Sequence, residues 1–155
     1  KAERYCWFMT PYLIITDEMT HALCLAAKRG VDVRIITPGI PDKKLIYSVT
    51  RSFYHGLVKD GVRIYEWTPG FCHAKMSVAD DCMATCGTIN LDYRSLYHHF
   101  ENGCFMADCQ TVLDIRDDLE STMKECREVT EKYRTGRSAY LRLGQLFMRL
   151  FAGLL

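Results

Sequence analysis

FCHAKMSVADD, residues 71–81, and the CMATCG that follows at 82–87 decide the architecture. The two runs AKMSVAD and CMATCG read as short strands joined at Asp80-Asp81, the pattern of a β-hairpin. Upstream the rhythm is different. YCWFMT (5–10) reads as a buried strand. Thr16 then caps a helix that opens with the acids Asp17 and Glu18 and stops at Gly30. VDVRIIT (31–37) is the next strand, PGIP leads to a helix over roughly 43–59, and VRIYEW (62–67) is a third strand after Gly61. Strand, helix, strand, helix, strand predicts an α/β fold with parallel members, and the hairpin adds antiparallel ones. The expected architecture is a mixed β-sheet with helices on both faces, an α/β/α sandwich.

Side chains alternate faces along a strand. His73 and Lys75 therefore point one way, while Ala74, Met76 and Val78 point into the packed layer. Hydrophobic packing alone does not select such a pair. Lysine offers a compact positive charge with three donors, suited to phosphate oxygens, and imidazole can be nucleophile or proton carrier near neutral pH. After the second strand, GTINLD supplies Gly87, where a ligand can approach the backbone closely, and Asn90, whose amide can donate to phosphate just before an expected helix start. The two pieces can converge on one anion.

Composition bounds the rest. The chain has 155 residues, 48% of them apolar and 25% charged, which suits one folded domain with an adequate core. A net charge of +1 provides no global field for gathering a polyanion, so nucleic acid is disfavoured as a partner. Eight cysteines without scaffold spacing or a CxxC pair point to mostly buried thiols in a reducing compartment. Neither Cys82 with Cys86 nor Cys72 beside His73 makes a ligand set, and no metal site is expected. The longest charge-free run, residues 5–16, is far shorter than the ~20 residues of a spanning helix. The opening KAERYCWFMT runs straight into a strand, as expected of a segment cut from something longer.

His73, Lys75 and Asp80 fit HxKxxxxD, and Gly87-Thr88-Ile89-Asn90 follows at the spacing of a GSxN element. The segment resembles the HKD signature of the phospholipase D superfamily. With TPYLIITDEM, AAKRGVDVRIITPG, GVRIYEW, PGFCHAK, GTINLDYRS and FENG in order, nearly the whole chain is similar to the C-terminal catalytic half of bacterial cardiolipin synthases. That resemblance implies a phospholipase D-like fold and a two-step, metal-free phosphatidyl transfer that needs no cofactor. One motif's histidine attacks the phosphorus of phosphatidylglycerol, the other motif's histidine protonates departing glycerol, and a second phosphatidylglycerol takes the phosphatidyl group to give cardiolipin. His73 would be nucleophile or general acid, with Lys75 and Asn90 on the phosphate oxygens. Asp80 falls on the opposite face from His73, where turn or salt-bridge duty competes with a place in the chemistry. Glu101, in the strand-like FENGCFMA, matches the family's histidine-orienting acid; an ordinary surface carboxylate is the plain alternative. Thr88 departs from the usual serine but keeps a hydroxyl, and His99 stands where asparagine is common.

None of His21, His55, His98 and His99 is followed two positions on by lysine, so the signature occurs once. The partner histidine is expected from an N-terminal half-domain or from a second copy of this chain. The second option keeps open a homodimeric phosphodiesterase acting on nucleic acid; a lipid-binding domain without activity is a third reading. A helix is expected over 111–133, closing a phospholipase D-like domain at 1–132. Beyond it a polar linker leads to an amphipathic helix within 133–155. There Leu143, Leu146, Phe147, Leu150, Phe151 and Leu154 form an apolar stripe opposite Arg142, Gln145 and Arg149. That helix suits an anionic membrane surface or the missing half-domain. With the resemblance, it implies a position on the cytoplasmic side of the bacterial cell membrane.

Overall fold

The computed structural model describes residues 2–135, so the expected amphipathic helix and all but residues 133–135 of the expected linker segment lie outside the described residues. In chain order the elements are β1 (Tyr5–Met9), β2 (Leu13–Ile14), α1 (Asp17–Lys28), β3 (Asp32–Pro38), α2 (Lys44–Val58), β4 (Arg63–Trp67), β5 (Met76–Ala79), β6 (Met83–Gly87) and β7 (Leu91–Asp92). A π-helical turn (Arg94–His98), β8 (Gly103–Ala107), α3 (Gln110–Lys124), β9 (Cys126–Glu128) and α4 (Thr130–Thr135) complete it.

Seven strands form one sheet in the order β8-β6-β5-β1-β3-β4-β9, and β2 pairs with β7 in a small parallel ribbon. β1, β3 and β4 are parallel; β5, β6, β8 and β9 join antiparallel. The mixed sheet is thus as expected. Its parallel centre is buried on both sides, and the end of β3 is apolar on both faces, with Val33, Ile35 and Ile36 at most 1% exposed.

Each helix covers the sheet with one stripe. On α2, Val49, Phe53 and Leu57 recur every four residues and join Ile35 and Ile64 in one core cluster with α1 residues Leu23 and Cys24. On α3, Val112, Ile115, Leu119 and Met123 pack on the other face against Trp7, Ile36, Val78 and Ala84. Thr16 caps α1 as expected, its hydroxyl accepting from Met19 N–H at 3.2 Å, a contact of ~1 kcal/mol. Gly30 ends that helix at φ 93°, a conformation that side-chain-bearing residues adopt only at a cost.

Two expectations need correction. The helix expected over 111–133 is three elements: α3 ends at Lys124, β9 pairs antiparallel with β4, and α4 follows. Cys126, Val129 and Tyr133 continue an apolar spacing that looks helical. The tertiary demand is different: the carboxylate of Glu66 on β4 is 0% exposed, and β9 brings Arg127 to it at 2.8 Å. The thiols are also not mostly buried. Cys24 is buried, Cys6, Cys72, Cys82 and Cys126 are partly so, and Cys86, Cys104 and Cys109 are exposed.

Candidate active site

β5 enters the sheet beside β1 with Met76 opposite Met9, the last residue of β1. The residues just before Met76 therefore lie at the carboxyl edge of the parallel strands, where α/β sheets present ligand-binding loops. Residues 71–75 carry no regular secondary structure and precede the strand, although the carbonyl of Lys75 still accepts from Gly87 N–H at 3.2 Å. Cys72, Ala74 and Met76 turn to the α3 side. On the opposite side, Lys75 Nζ lies 2.9 Å from His73 Nδ1 and 3.1 Å from Nε2, and donates to the His73 carbonyl at 2.6 Å. The pairing expected from alternation is present. His73 is exposed, with the Phe71 ring 5.8 Å away. Partial burial pulls the Lys75 ammonium below its ordinary pKa, while the charges of Glu101 and Asp92 pull the other way.

A second set of groups comes from the β6–β8 end. Gly87 faces Gly103, and a Cβ on Gly87 would collide with the Asn102 carbonyl oxygen. The close approach that demands glycine is thus that of the neighbouring strand. It brings Thr88 N–H to the Asn102 carbonyl at 2.8 Å and the Thr88 hydroxyl onto the Glu101 carboxylate. Asn102 N–H donates back to Thr88 Oγ1 at 2.9 Å. The Thr88 bond is the main reason that the Glu101 carboxyl titrates below the usual value, with bonding to Ser95 and the charges of His99 and Lys75 in support.

Asn90 does not precede a helix. The chain after it pairs as β7, with Leu91 N–H donating to Thr10 Oγ1 at 3.1 Å, and then makes the π-helical turn, where Asp92 accepts from Ser95 N–H at 2.7 Å. Buried Asn90 Oδ1 has no hydrogen-bond partner and sits on the wall of a cavity of about 230 Å³. Glu101, Asp92, Tyr12, Lys43, Arg94 and His99 also line it. An unsatisfied amide oxygen on a polar cavity wall can accept from a ligand's donor, and only the Nδ2 of that amide can donate to a phosphate oxygen. Lys43 and Arg94 were not singled out in the sequence. Arg94 sits within the quoted GTINLDYRS and reaches His99 Nε2 at 3.1 Å, whereas nothing in the order PDKK announces that Lys43 lines the same cavity as Asn90.

Asp80 belongs elsewhere. It lies at the far end of β5 from Lys75, and its carboxylate accepts the N–H groups of Glu3, Arg4 and Tyr5 at 2.7, 2.9 and 2.9 Å. Burial would raise its pKa, but these three bonds outweigh it and the shift is downward. It anchors the entry to β1.

A second cavity, about 270 Å³, opens on the face that carries Lys75, with Phe8, Ile89, Leu91 and Phe105 among its walls. The exposed imidazole thus lies beside Lys75, which lines the apolar groove, while Asn90 lines the polar cavity. Such a setting can hold a phosphodiester anion with a hydrocarbon substituent, next to a nucleophile. Among the described residues no group of three or more His, Cys, Asp or Glu could hold a metal ion, and no helix is long and apolar enough to cross a membrane.

Residues 1–123 match the family model described as cardiolipin synthase, PLD-like domain. Among curated relatives, an uncharacterized protein of Streptococcus mutans is 49% identical over 100% of this chain and 34% of its own length. Cardiolipin synthase 2 of Bacillus cereus is 34% identical over 99% of this chain and 30% of its own. The chain thus spans about a third of the length of these relatives. Two solved structures share the fold: the phospholipase D family member Nuc from Salmonella typhimurium (TM-score 0.71, 17% identity, 83% of each chain) and phosphatidylserine synthase from Haemophilus influenzae (TM-score 0.71, 18% identity, 99% of this chain and 40% of that one).

Proposed function

This chain belongs to the cardiolipin synthase, PLD-like domain family, and from that premise we propose that it is one catalytic half of a phosphatidyltransferase that makes cardiolipin from two phosphatidylglycerol molecules. The observation that supports the reading is His73 exposed beside Lys75 at 2.9 Å, with Lys75 on the wall of an apolar groove. One histidine of a pair attacks phosphorus, its new N–P bond replacing the bond to glycerol. The other histidine hands its proton to the departing glycerol oxygen. In the second step it takes the proton of an incoming phosphatidylglycerol hydroxyl, whose oxygen displaces the histidine. His73 is one of the two. Lys75 and Asn90 hold the non-bridging oxygens, with Gly87 and Thr88 shaping that pocket, and Glu101 is an orienting acid that already holds the Thr88 hydroxyl. Asp80 serves the hairpin rather than the phosphate.

The second histidine comes from the remainder of the parent chain, or from a second copy, since HxK occurs once here. The parent works at the cytoplasmic face of the bacterial membrane, where its substrates lie, and the chemistry calls for neither metal nor cofactor.

The test gives the complete parent chain phosphatidylglycerol vesicles with a chelator present, beside its His73→Ala variant. Cardiolipin and glycerol in equal amounts, reduced at least a thousandfold in the variant, are expected. If the parent makes neither yet cleaves DNA, the homodimeric nuclease reading replaces this one. Lipid binding without turnover by either protein would instead mark a binding domain.

A further inference from the structure

We propose that Cys86 and Cys104 are a redox pair that closes to a cross-strand disulfide by exchange with a low-molecular-weight disulfide, and that closure distorts the β6–β8 end of the site. The two cysteines are direct partners across β6 and β8, and both are exposed. They lie on the face of the sheet that α3 covers, since Cys86 follows the buried Ala84 by two positions, but at a corner that α3 leaves open. Among the described residues β8 is an edge of the sheet.

The register fixes the kind of rung. Thr88 N–H bonds the Asn102 carbonyl at 2.8 Å and Asp108 N–H the Cys82 carbonyl at 2.9 Å, two and four positions to either side. Rungs alternate in an antiparallel ladder, so Cys86 and Cys104 occupy a hydrogen-bonded rung, with Cα atoms about 5.5 Å apart. That lies inside the roughly 4.4–6.8 Å that a disulfide spans. Closure must still draw the Cβ atoms to about 3.8 Å. Cys86 precedes Gly87-Thr88 and Cys104 follows Gly103, so this movement acts where Gly87 has no room for a side chain beside the Asn102 carbonyl and Thr88 holds Glu101. A bond made under such constraint is easily reduced again.

The remaining thiols are poorer candidates: Cys72 and Cys82 are partly buried, their sulfurs donating to Met9 Sδ at 3.5 Å and to the Ala79 carbonyl at 3.6 Å. Burial pushes Cys6 up to about 11 and Cys126 up to about 12 and also raises Cys24. Cys109 is exposed but has no cysteine opposite it in the sheet. In the exchange, one cysteine sulfur attacks the small disulfide and releases the first small thiol. The second cysteine sulfur attacks the resulting mixed disulfide at the protein sulfur and releases the other. Two protein thiols are oxidised, one small disulfide is reduced to two thiols, and the two thiol protons end on those products.

The parent chain would be incubated with glutathione disulfide, quenched in acid, cut with trypsin and mapped without reduction. Peptides 76–94 and 95–116 should appear linked, and remain linked in Cys82→Ser and Cys109→Ser but not in Cys86→Ser or Cys104→Ser. Glutathione adducts alone, or a link that survives Cys86→Ser, overturn the pair. The second readout rests on the phosphatidyl transfer proposed above, whereas the peptide map does not, so the two failures are distinguishable. Oxidation should lower turnover at least fivefold, with recovery in dithiothreitol and no response in the two diagnostic serine variants. A linked protein with unchanged turnover overturns the effect on the site.

Discussion

Asp80 and Asp81 are adjacent in sequence and do different things. Both sit in the left-handed region, φ 54° and 62°, as a type I′ turn requires, and Cys82 N–H closes the turn on the Ala79 carbonyl at 3.1 Å. Asp80 gathers three backbone N–H groups, whereas Asp81 gathers the Tyr5 hydroxyl at 2.7 Å, Arg116 at 2.8 Å and Arg4 at 2.8 Å. These bonds, that of Tyr5 foremost, pull the Asp81 carboxyl down from 3.8 to about 2. A depressed folded-state value means that the unfolded chain binds the proton first. The stability that Asp81 contributes is therefore complete above about pH 4 and is lost as the pH falls to about 2. Urea midpoints followed from pH 7 to pH 2 should show this loss. In Asp81→Asn the midpoint should start lower at pH 7 and the acid slope should flatten; an unchanged slope would mean that the carboxylate contributes nothing. Sequence announced the turn through its two aspartates, but which oxygen meets which donor depended on β1 arriving beside it.

At the scale of elements, the hairpin reading of residues 74–87 and the extents of α1 and α2 were legible because caps, glycines and alternation are local signals. The break after α3 was not, because Cys126, Val129 and Tyr133 fit a helix as well as they fit β9 and α4. Gly87 is a second instance. As a sequence letter it suggested room for a ligand, but its Cβ position is filled by the backbone of residues 102–103. Gly87→Ala must push β6 from β8, at a cost of about 2 kcal/mol by the measure of overpacked cores. Urea unfolding should show that loss, and turnover by the parent chain should fall with it, because Thr88 and Glu101 move together. If stability drops while turnover per folded molecule stays constant, Thr88 and Glu101 are spectators.

Across the whole molecule, one buried charge holds the late elements to the early ones. Glu66, 0% exposed on β4, receives Arg51 of α2 through Nε at 2.9 Å and Nη2 at 2.6 Å, and Arg127 of β9 at 2.8 Å. Removing one member of such a set leaves charge without its counterpart. Glu66→Gln should cost about 3 kcal/mol, read as a lower denaturant midpoint, with β9 loosened first in hydrogen exchange. Uniform protection across β9 in the variant would show that Val129 and Tyr133 hold that strand without the ion pair.

By itself the sequence determined the α/β class, the parallel centre with an appended hairpin, the shared face of His73 and Lys75, and the family resemblance that the family model bears out. Each of these depends on residues close together in the chain, where spacing dictates which way a side chain points. Only the tertiary structure decided that Glu101 answers Thr88, that Asn90 ends unsatisfied on a cavity with Lys43 and Arg94, that Asp80 serves the start of β1, and that Cys86 faces Cys104. Those pairs join distant segments, and their partners are set by strand order and register, which arise from burying both faces of one sheet at once rather than from any local preference.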